Sequence, residues 1–308
     1  MSAPLLSIVV TVIDGGSVLR DLLASLTTQR NSPRLQIIVP YDASIAADTE
    51  AVAKQFASSG VEIEFLPLGK ITPVRPIESA AGQHELYDRR RSAGLHAAKG
   101  DLIAIIEDRG VPRADWASTA VRLHEQPFAV IGGAINGARG TVLNWAFYVC
   151  DFGRYGLPFE SGPAEWVSDV NVTYKRRVID DTRDLWKERF REPIVHWALI
   201  ERGETLHLSS ELVVEHRRPH APLSVLLPER FHWGRLFGHI RAMHMSLPKR
   251  LAASAMWPLL PPMLFVRHAR TQFRKGNFGR FVRAAPAVAI LLVAWTSGEV
   301  WGYLTNRS

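Results

Sequence analysis

The stretch "LIAIIEDRGVPRADW", Leu102–Trp116, runs five apolar residues straight into two acids, an arginine, a glycine and a proline. A short Leu/Ile run bounded by Gly and Pro reads as a buried strand. A carboxylate beside an apolar core is costly unless it is solvated or paired. Glu107 and Asp108 therefore either sit solvated in a turn or hold something positive.

Outward from that strand, the first half of the chain alternates between two periods. "LSIVVTVI" (6–13), "LQIIVP" (35–40), "VEIEFLPL" (61–68) and "DLIAIIED" (101–108) read as strands. Between them, "GGSVLRDLLASLTTQR" puts Val18, Leu19, Leu22, Leu23 and Leu26 on one helical face, with Ser17 as its cap. "SIAADTEAVAKQFASS", "YDRRRSAGLHAAKG" and "RADWASTAVRLHEQ" read as further helices, the second of these ending at Gly100, and 69–84 as a long polar loop. Alternating strand and helix predicts an α/β fold, a mostly parallel sheet with flanking helices. No GxGxxG follows a strand and no GxxxxGK[ST] occurs, so a bound nucleotide would be held by side chains at the carboxyl ends of strands.

Composition narrows the class. An apolar content of 47% excludes disorder, and the single cysteine, Cys150, excludes an internal disulfide framework and a multi-cysteine zinc site. The start, "LLSIVVTVI", lacks a basic leader and a small-residue cleavage site, so it reads as a strand and not a signal peptide. The net charge of +7 is unevenly spread: residues 216–308 hold 14 Lys and Arg against only Glu229 and Glu299, a surplus of +12, and residues 1–215 sum to −5. A strongly basic end calls for an anionic surface as partner. Nucleic acid fits the charge, but the chain has no recognisable motif for reading it.

The basic end also carries two apolar segments. "LAASAMWPLLPPMLFV" (251–266) is uncharged but is interrupted by Pro258, Pro261 and Pro262; "AAPAVAILLVAWTSGEVWGYLTN" (284–306) is longer, with one acid, Glu299. If both crossed a membrane, the basic loop between them would lie outside, against the tendency of Lys and Arg to stay cytoplasmic. The first therefore reads as a re-entrant or interfacial element, the second as a final span or a surface helix. Trp257, Trp295, Trp301 and Tyr303 suit the headgroup zone. In "ERFHWGRLFGHIRAMHMSLPKR", Phe231, Leu236, Phe237, Ile240 and Met243 share a helical face among Arg230, Arg235 and Arg241, the pattern of a helix lying on an anionic membrane. The alternative for this whole region is a set of helices packed on a globular domain.

Five segments in order resemble the family 2 glycosyltransferases, inverting nucleotide-sugar enzymes of the GT-A fold, over roughly 6–216. They are "SIVVTVIDGG", "IIVPYDAS", "RRRSAGLHAAKGDLIAIIED", "VSDVNVTYKRR" and "ELVVEHRR". Ser92 replaces the family's usual asparagine, and the usual proline-tyrosine-asparagine of the first turn is missing. The resemblance implies donor contacts from Asp14, Asp42, Arg91, Glu107, Asp108, Arg109 and Asn171. It gives Asp42 the base; an Asx-turn is the plain alternative. It also implies a divalent cation, Mg or Mn, on Glu107, Asp108 and His216, where oxygen ligands suit a hard ion that offsets leaving-group charge. The family has acids at positions one and three of this motif, and here the third is Arg109. Either Asp108 and His216 alone hold the metal, or Arg109 compensates the diphosphate. His216 also reads as an ordinary surface histidine.

Inverting transfer requires a general base. In the resembled family it is a carboxylate at the start of a helix leading to a glycine and a strand. "RFREPIVHWALIERGETLHLSSELVVEH" has that layout, and counting back from Gly203 reaches Glu192, without the usual Glu-Asp pair. Asp180, Asp181 and Glu188 are rivals, and a solvated acid in a first helical turn is the structural alternative.

These readings combine into a GT-A domain at 1–216 and a basic, hydrophobic helical attachment region at 217–308. The expected protein sits at the cell membrane with its catalytic domain cytoplasmic. It moves a sugar from a nucleotide-sugar donor to a lipid-linked or polysaccharide acceptor. The competing expectation is a catalytically weak relative serving as a membrane-bound binding or scaffold subunit.

Overall fold

The computed structural model describes residues 5–137 and 140–305. In chain order the elements are β1 (Leu6–Thr11), α1 (Gly16–Thr27), β2 (Leu35–Tyr41), α2 (Ala46–Phe56), β3 (Glu62–Pro67) and α3 (Ala80–Ala97). Next come β4 (Leu102–Glu107), β5 (Gly110–Pro112), α4 (Trp116–His124), β6 (Val130–Gly137), α5 (Val142–Phe152), β7 (Gly162–Ala164) and β8 (Asn171–Lys175). Then follow α6 (Arg176–Asp181), α7 (Arg183–Trp186), α8 (Glu192–Glu201), β9 (Leu206–His216), α9 (Leu223–Ala242), α10 (Leu247–Ala255), α11 (Leu260–Arg274) and α12 (Phe278–Thr305).

The chain forms two compact units. The first comprises Met1–Thr72, Glu85–Asn136 and Leu157–Arg217; the second comprises Pro73–His84, Gly137–Gly156 and Arg218–Ser308.

In the first unit the sheet order is β3-β2-β1-β4-β8-β6-β9-β5, with β7 on β9. β3, β2, β1 and β4 run parallel, and β8 turns antiparallel to β4. All six residues of β1 and all seven of β2 are buried. That is why they read as unbroken apolar runs and not as an alternation: both faces of such a sheet are covered. The predicted face of α1 does the covering, since Leu19, Leu22, Leu23 and Leu26 are fully inaccessible. Each such side chain contributes about 1.5–3 kcal/mol by leaving water. Ser17, expected as the cap of α1, does not cap it. Gly15 occupies the cap position at φ 66°, with no side chain of its own to cap the first turn. A left-handed residue at that point favours glycine, and it lets the β1–α1 turn close tightly over the end of β4. The register sets Thr11 beside Glu107 and Ile106 beside Asn171.

The second unit corrects three readings. The loop 69–84 ends early, because α3 begins at Ala80 with the Ser79 hydroxyl accepting from Gly82 N at 3.1 Å. Pro261 and Pro262 do not break a helix. They occupy the first turn of α11, where proline leaves no bond unmade, so α11 continues through the charged residues expected to form a loop. The expected exposed face of α9 is also different. Arg230 is buried, ion-paired with Asp151, and its guanidinium lies 4.3 Å from the Trp295 ring centroid, whereas Met243 is exposed.

α9 and α12 pack backbone to backbone. A Cβ on Gly234 or Gly238 would stand 2.1 Å from the Trp295 or Glu299 carbonyl oxygen, and one on Gly298 or Gly302 would stand 2.0 or 2.3 Å from that of Phe231 or Arg235. Glycine at both spacings of four is what permits this approach. Inside the seam, Glu299 accepts from Tyr303 Oη at 2.5 Å and from Arg241 Nη1 at 3.0 Å. α12 is long and apolar enough to cross a membrane. Its inner face, including Phe281, Val288, Leu291 and Leu292, is buried with Trp145, Phe147 and Leu226.

Candidate active site

The carboxyl ends of β1, β2 and β4 converge with the middle of α3, the start of β8 and the first turn of α8. α3 contributes two buried arginines, and they do different things.

Arg90 serves a turn. Its Nε donates to Asp42 Oδ2 at 2.8 Å, Nη1 to the Val12 carbonyl at 2.6 Å and Nη2 to Ser44 Oγ at 3.2 Å. Ser44 N donates to the other Asp42 oxygen at 2.8 Å. Burial pushes the Asp42 carboxyl up, but the Ser44 bonds and Arg90 outweigh it and hold the group below its ordinary value. Asp42, expected at the base, is thus 3% exposed with both oxygens engaged, in an Asx-turn reinforced by an ion pair.

Arg91 is the hub of an acidic cluster. Its Nε donates to Thr11 Oγ1 at 2.9 Å; Nη2 lies 2.8 Å from Asp169 and 3.3 Å from Glu107, and Nη1 lies 3.8 Å from Asp88. Burial pulls its pKa down, but Asp169, Glu107, Asp88 and Glu192 together carry it above the ordinary value. Glu107 shows the reverse balance. Burial, with Asp169 adding, pushes it up to about 8 against Arg91 and Arg109.

Asp108 answers the opening question for one of the two acids. It is fully inaccessible, and its Oδ2 accepts from Asp14 N at 3.0 Å and Gly15 N at 2.7 Å. It clamps the β1–α1 turn, and burial raises it to about 6 although the Gly15 bond opposes this. Arg109 forks onto Asp14, Nε to Oδ2 at 2.7 Å and Nη2 to Oδ1 at 2.6 Å, and stays partly accessible. Parallel N–H···O pairs of this kind are the strong form of the contact. So Glu107 and Arg109 do hold opposite charges, but the partners are side chains of the same unit.

Asn171 requires a correction. It is fully buried, its Oδ1 accepting from Trp116 Nε1 at 2.9 Å and its Nδ2 donating to the Ala134 and Leu212 carbonyls at 3.0 and 2.9 Å. Its polar atoms tie β8 to its neighbours, so it ties the sheet together and does not offer itself to a donor. His216 is buried at the end of β9 opposite Gly110. Among the described residues no three His, Cys, Asp or Glu converge as a metal-holding group. The expected set of Glu107, Asp108 and His216 therefore does not assemble: Asp108 gives Oδ2 to the turn while its buried Oδ1 has no hydrogen-bond partner, and Arg91 and Arg109 supply positive charge beside the acids.

Glu192 opens α8 with Pro193 behind it in the first turn. Its Oε1 lies 3.3 Å from His196 Nδ1, one helical turn on, and His196 Nε2 lies 2.8 Å from Tyr174 Oη. Burial raises the Glu192 carboxyl above its ordinary value, Asp169 adds to this, and His196 and Arg91 oppose it. The rivals Asp180, Asp181 and Glu188 are exposed. Sequence reasoning missed Arg90, Asp169, His196 and Tyr174. The signal for Asp169 lay inside "VSDVN", two residues before the asparagine. For His196 it was the spacing of four from Glu192.

The sequence model of Glycosyl transferase family 2 matches residues 7–161, half of the chain, and the chain belongs to that family. It is a glycosyltransferase, and its sheet and flanking helices are the GT-A fold. No curated protein sequence matches it. Among solved structures, S. aureus TarS 1-349 in complex with UDP-GlcNAc superposes with a TM-score of 0.53 at 12% identity, covering 96% of this chain and 90% of that one. Mannosyltransferase PcManGT from Pyrobaculum calidifontis, in complex with GDP-Man and Mn2+, gives 0.50 at 13% identity, covering 93% and 74%. At such identities the likeness concerns the fold.

Proposed function

We propose that residues 1–216 transfer a sugar from a nucleotide-sugar donor with inversion, and that residues 217–308 attach the chain to the cytoplasmic face of the cell membrane, where the acceptor is a lipid-linked or nascent glycan. The observation that carries the mechanism is Glu192, the one candidate base that is largely buried, held by His196 and set beside the Arg91 cluster. A carboxylate with a raised pKa is better matched to removing a hydroxyl proton than a free one. In this reading the Glu192 carboxylate takes the proton of the acceptor hydroxyl, the acceptor oxygen bonds the anomeric carbon, and the bond to the donor phosphate breaks. The charge left on the diphosphate is met by Arg109, which is pre-oriented by Asp14 at the end of β4. Nucleotide-sugar complexes of two proteins of the same fold support the donor class.

A divalent cation, Mg or Mn, would find the unpartnered buried Oδ1 of Asp108 but no convergent group of three His, Cys, Asp or Glu among the described residues, and no step is assigned to one. The same feature favours a second reading: an arginine in the third acidic position, locked to Asp14, suits a binding subunit that holds donors without turning them over.

Purified full-length protein, screened against labelled nucleotide sugars with and without manganese, separates the two. Transfer or hydrolysis of one donor, with thermal stabilisation that persists without manganese, is the expected result. Stabilisation without turnover favours the binding subunit, and stabilisation by no donor overturns both.

A further inference from the structure

The outward face of α11 carries a groove of about 750 Å³ that has two characters along its length. Leu259, Met263 and Val266 are exposed apolar residues at its amino end, and Arg267, Arg270 and Arg274 line its carboxyl end. Spacings of three and four put all six on one side of the helix. The inner side is different: Gln272 is buried and donates to the Gly153 carbonyl, and the Phe265 ring packs tilted against Phe281 with centroids 5.4 Å apart. α11 is therefore fixed by its inner side, and its outer side is left to meet something else.

The three arginines are exposed and, among the described residues, have no acid within salt-bridge distance. The acids of the same unit that form ion pairs are committed to other arginines: Asp151 to Arg230, Glu229 to Arg218 and Glu299 to Arg241. Apolar residues running into uncompensated guanidinium groups are the mirror image of a phospholipid, whose acyl chains run into a phosphate. At 15 residues, α11 is roughly 22 Å long and too short to cross. α12 is long enough, but its glycine seam binds it to α9, which would carry Arg230, Arg235 and Arg241 into the hydrocarbon with it.

We infer that α11 is a monotopic docking face for an anionic bilayer, Arg267, Arg270 and Arg274 holding lipid phosphates while Leu259, Met263 and Val266 enter the acyl boundary. The inference rests on the membrane-attachment reading and decides its mode.

The test is flotation of the full chain with vesicles of phosphatidylcholine alone and of phosphatidylcholine with phosphatidylglycerol, roughly two to one. Wild type should bind the anionic vesicles, bind the neutral ones far less, and be released by an alkaline wash. The triple variant Arg267→Gln/Arg270→Gln/Arg274→Gln should lose roughly a hundredfold in partitioning, from about fivefold per arginine near an anionic surface. Met263→Ser/Val266→Ser should weaken binding with every charge in place, and Arg122→Gln, on the other unit, should change nothing. If the triple variant binds like wild type with its melting temperature intact, the docking face is refuted while membrane attachment stands. Retention after the alkaline wash refutes the monotopic mode. Failure of wild type to bind any vesicle sinks the attachment reading and this inference with it.

Discussion

Arg90 and Arg91 in the first unit and Arg267, Arg270 and Arg274 in the second are the same side chain put to opposite uses. Those of the first unit meet Asp42 and Asp169 with Glu107 at 2.6–3.3 Å. Those of the second stand exposed with no acid in range among the described residues. A guanidinium enclosed by carboxylates fixes geometry, because removing either partner strands the other away from water. An exposed one costs the fold nothing and is free to recruit an anion from outside. The arginines of an anion-handling protein therefore need sorting by what already neutralises them before any is assigned a ligand.

The largest expected effect would break this contrast directly. Arg91→Met should leave Asp169, Glu107 and Asp88 facing one another and cost about 3–5 kcal/mol, seen as loss of the cooperative thermal transition. Arg270→Met should shift stability by no more than about 0.5 kcal/mol. Equal losses would mean that Arg270 has a structural partner after all.

Next comes catalysis at the edge of the paired cluster. Glu192→Gln should lower turnover about a hundredfold or more while donor affinity stays nearly unchanged, since a base acts in the transition state. Asp180→Asn, Asp181→Asn and Glu188→Gln, at exposed positions, should keep turnover; loss in one of these with Glu192→Gln intact would move the base. The pH profile sharpens the point. The base must be ionised, and burial raises Glu192 above its ordinary value. Turnover should therefore rise with pH through a midpoint above the usual glutamate range, and in Glu192→Gln that limb should vanish from the residual rate.

The smallest effect concerns backbone packing in the second unit. Gly238→Ala puts a methyl 2.1 Å from the Glu299 carbonyl oxygen, so α9 and α12 must separate. A loss of about 1–3 kcal/mol in thermal or denaturant unfolding is expected, the usual scale for overpacking. Gly279→Ala, where nothing lies within 4 Å, should be neutral or stabilising. Equal behaviour of the two would show that the seam is looser than the backbone distances imply.

Much of the architecture could be read from local pattern. The buried runs of β1, β2 and β4, the leucine face of α1 and the order of five motifs are properties of neighbouring residues, and the family match over 7–161 spans the first three of those motifs. The site was legible in outline, in that acids at the end of β4 and a carboxylate opening α8 lie where the motifs put them. Roles within the outline were not legible. "EDRG" does not reveal that Asp108 faces the backbone of the turn after β1, because that contact joins residues 94 and 93 positions apart. Nor do three consecutive arginines, Arg89–Arg91, say which one meets Asp42, 48 positions away, and which meets Thr11, 80 away.

What the sequence determined by itself was the alternation of strand and helix, the acidic strand end and the basic, apolar carboxyl-terminal region. All of these are local, since helix and strand periods express which residues leave water. Only the tertiary structure decided that Asn171 ties the sheet together, that Asp42 and Asp108 are turn clamps, that Arg230 is buried and that, among the described residues, Arg267, Arg270 and Arg274 have no acid in range. Charge pairing is settled by distances of a few ångströms between residues far apart in the chain, and no periodicity encodes those distances.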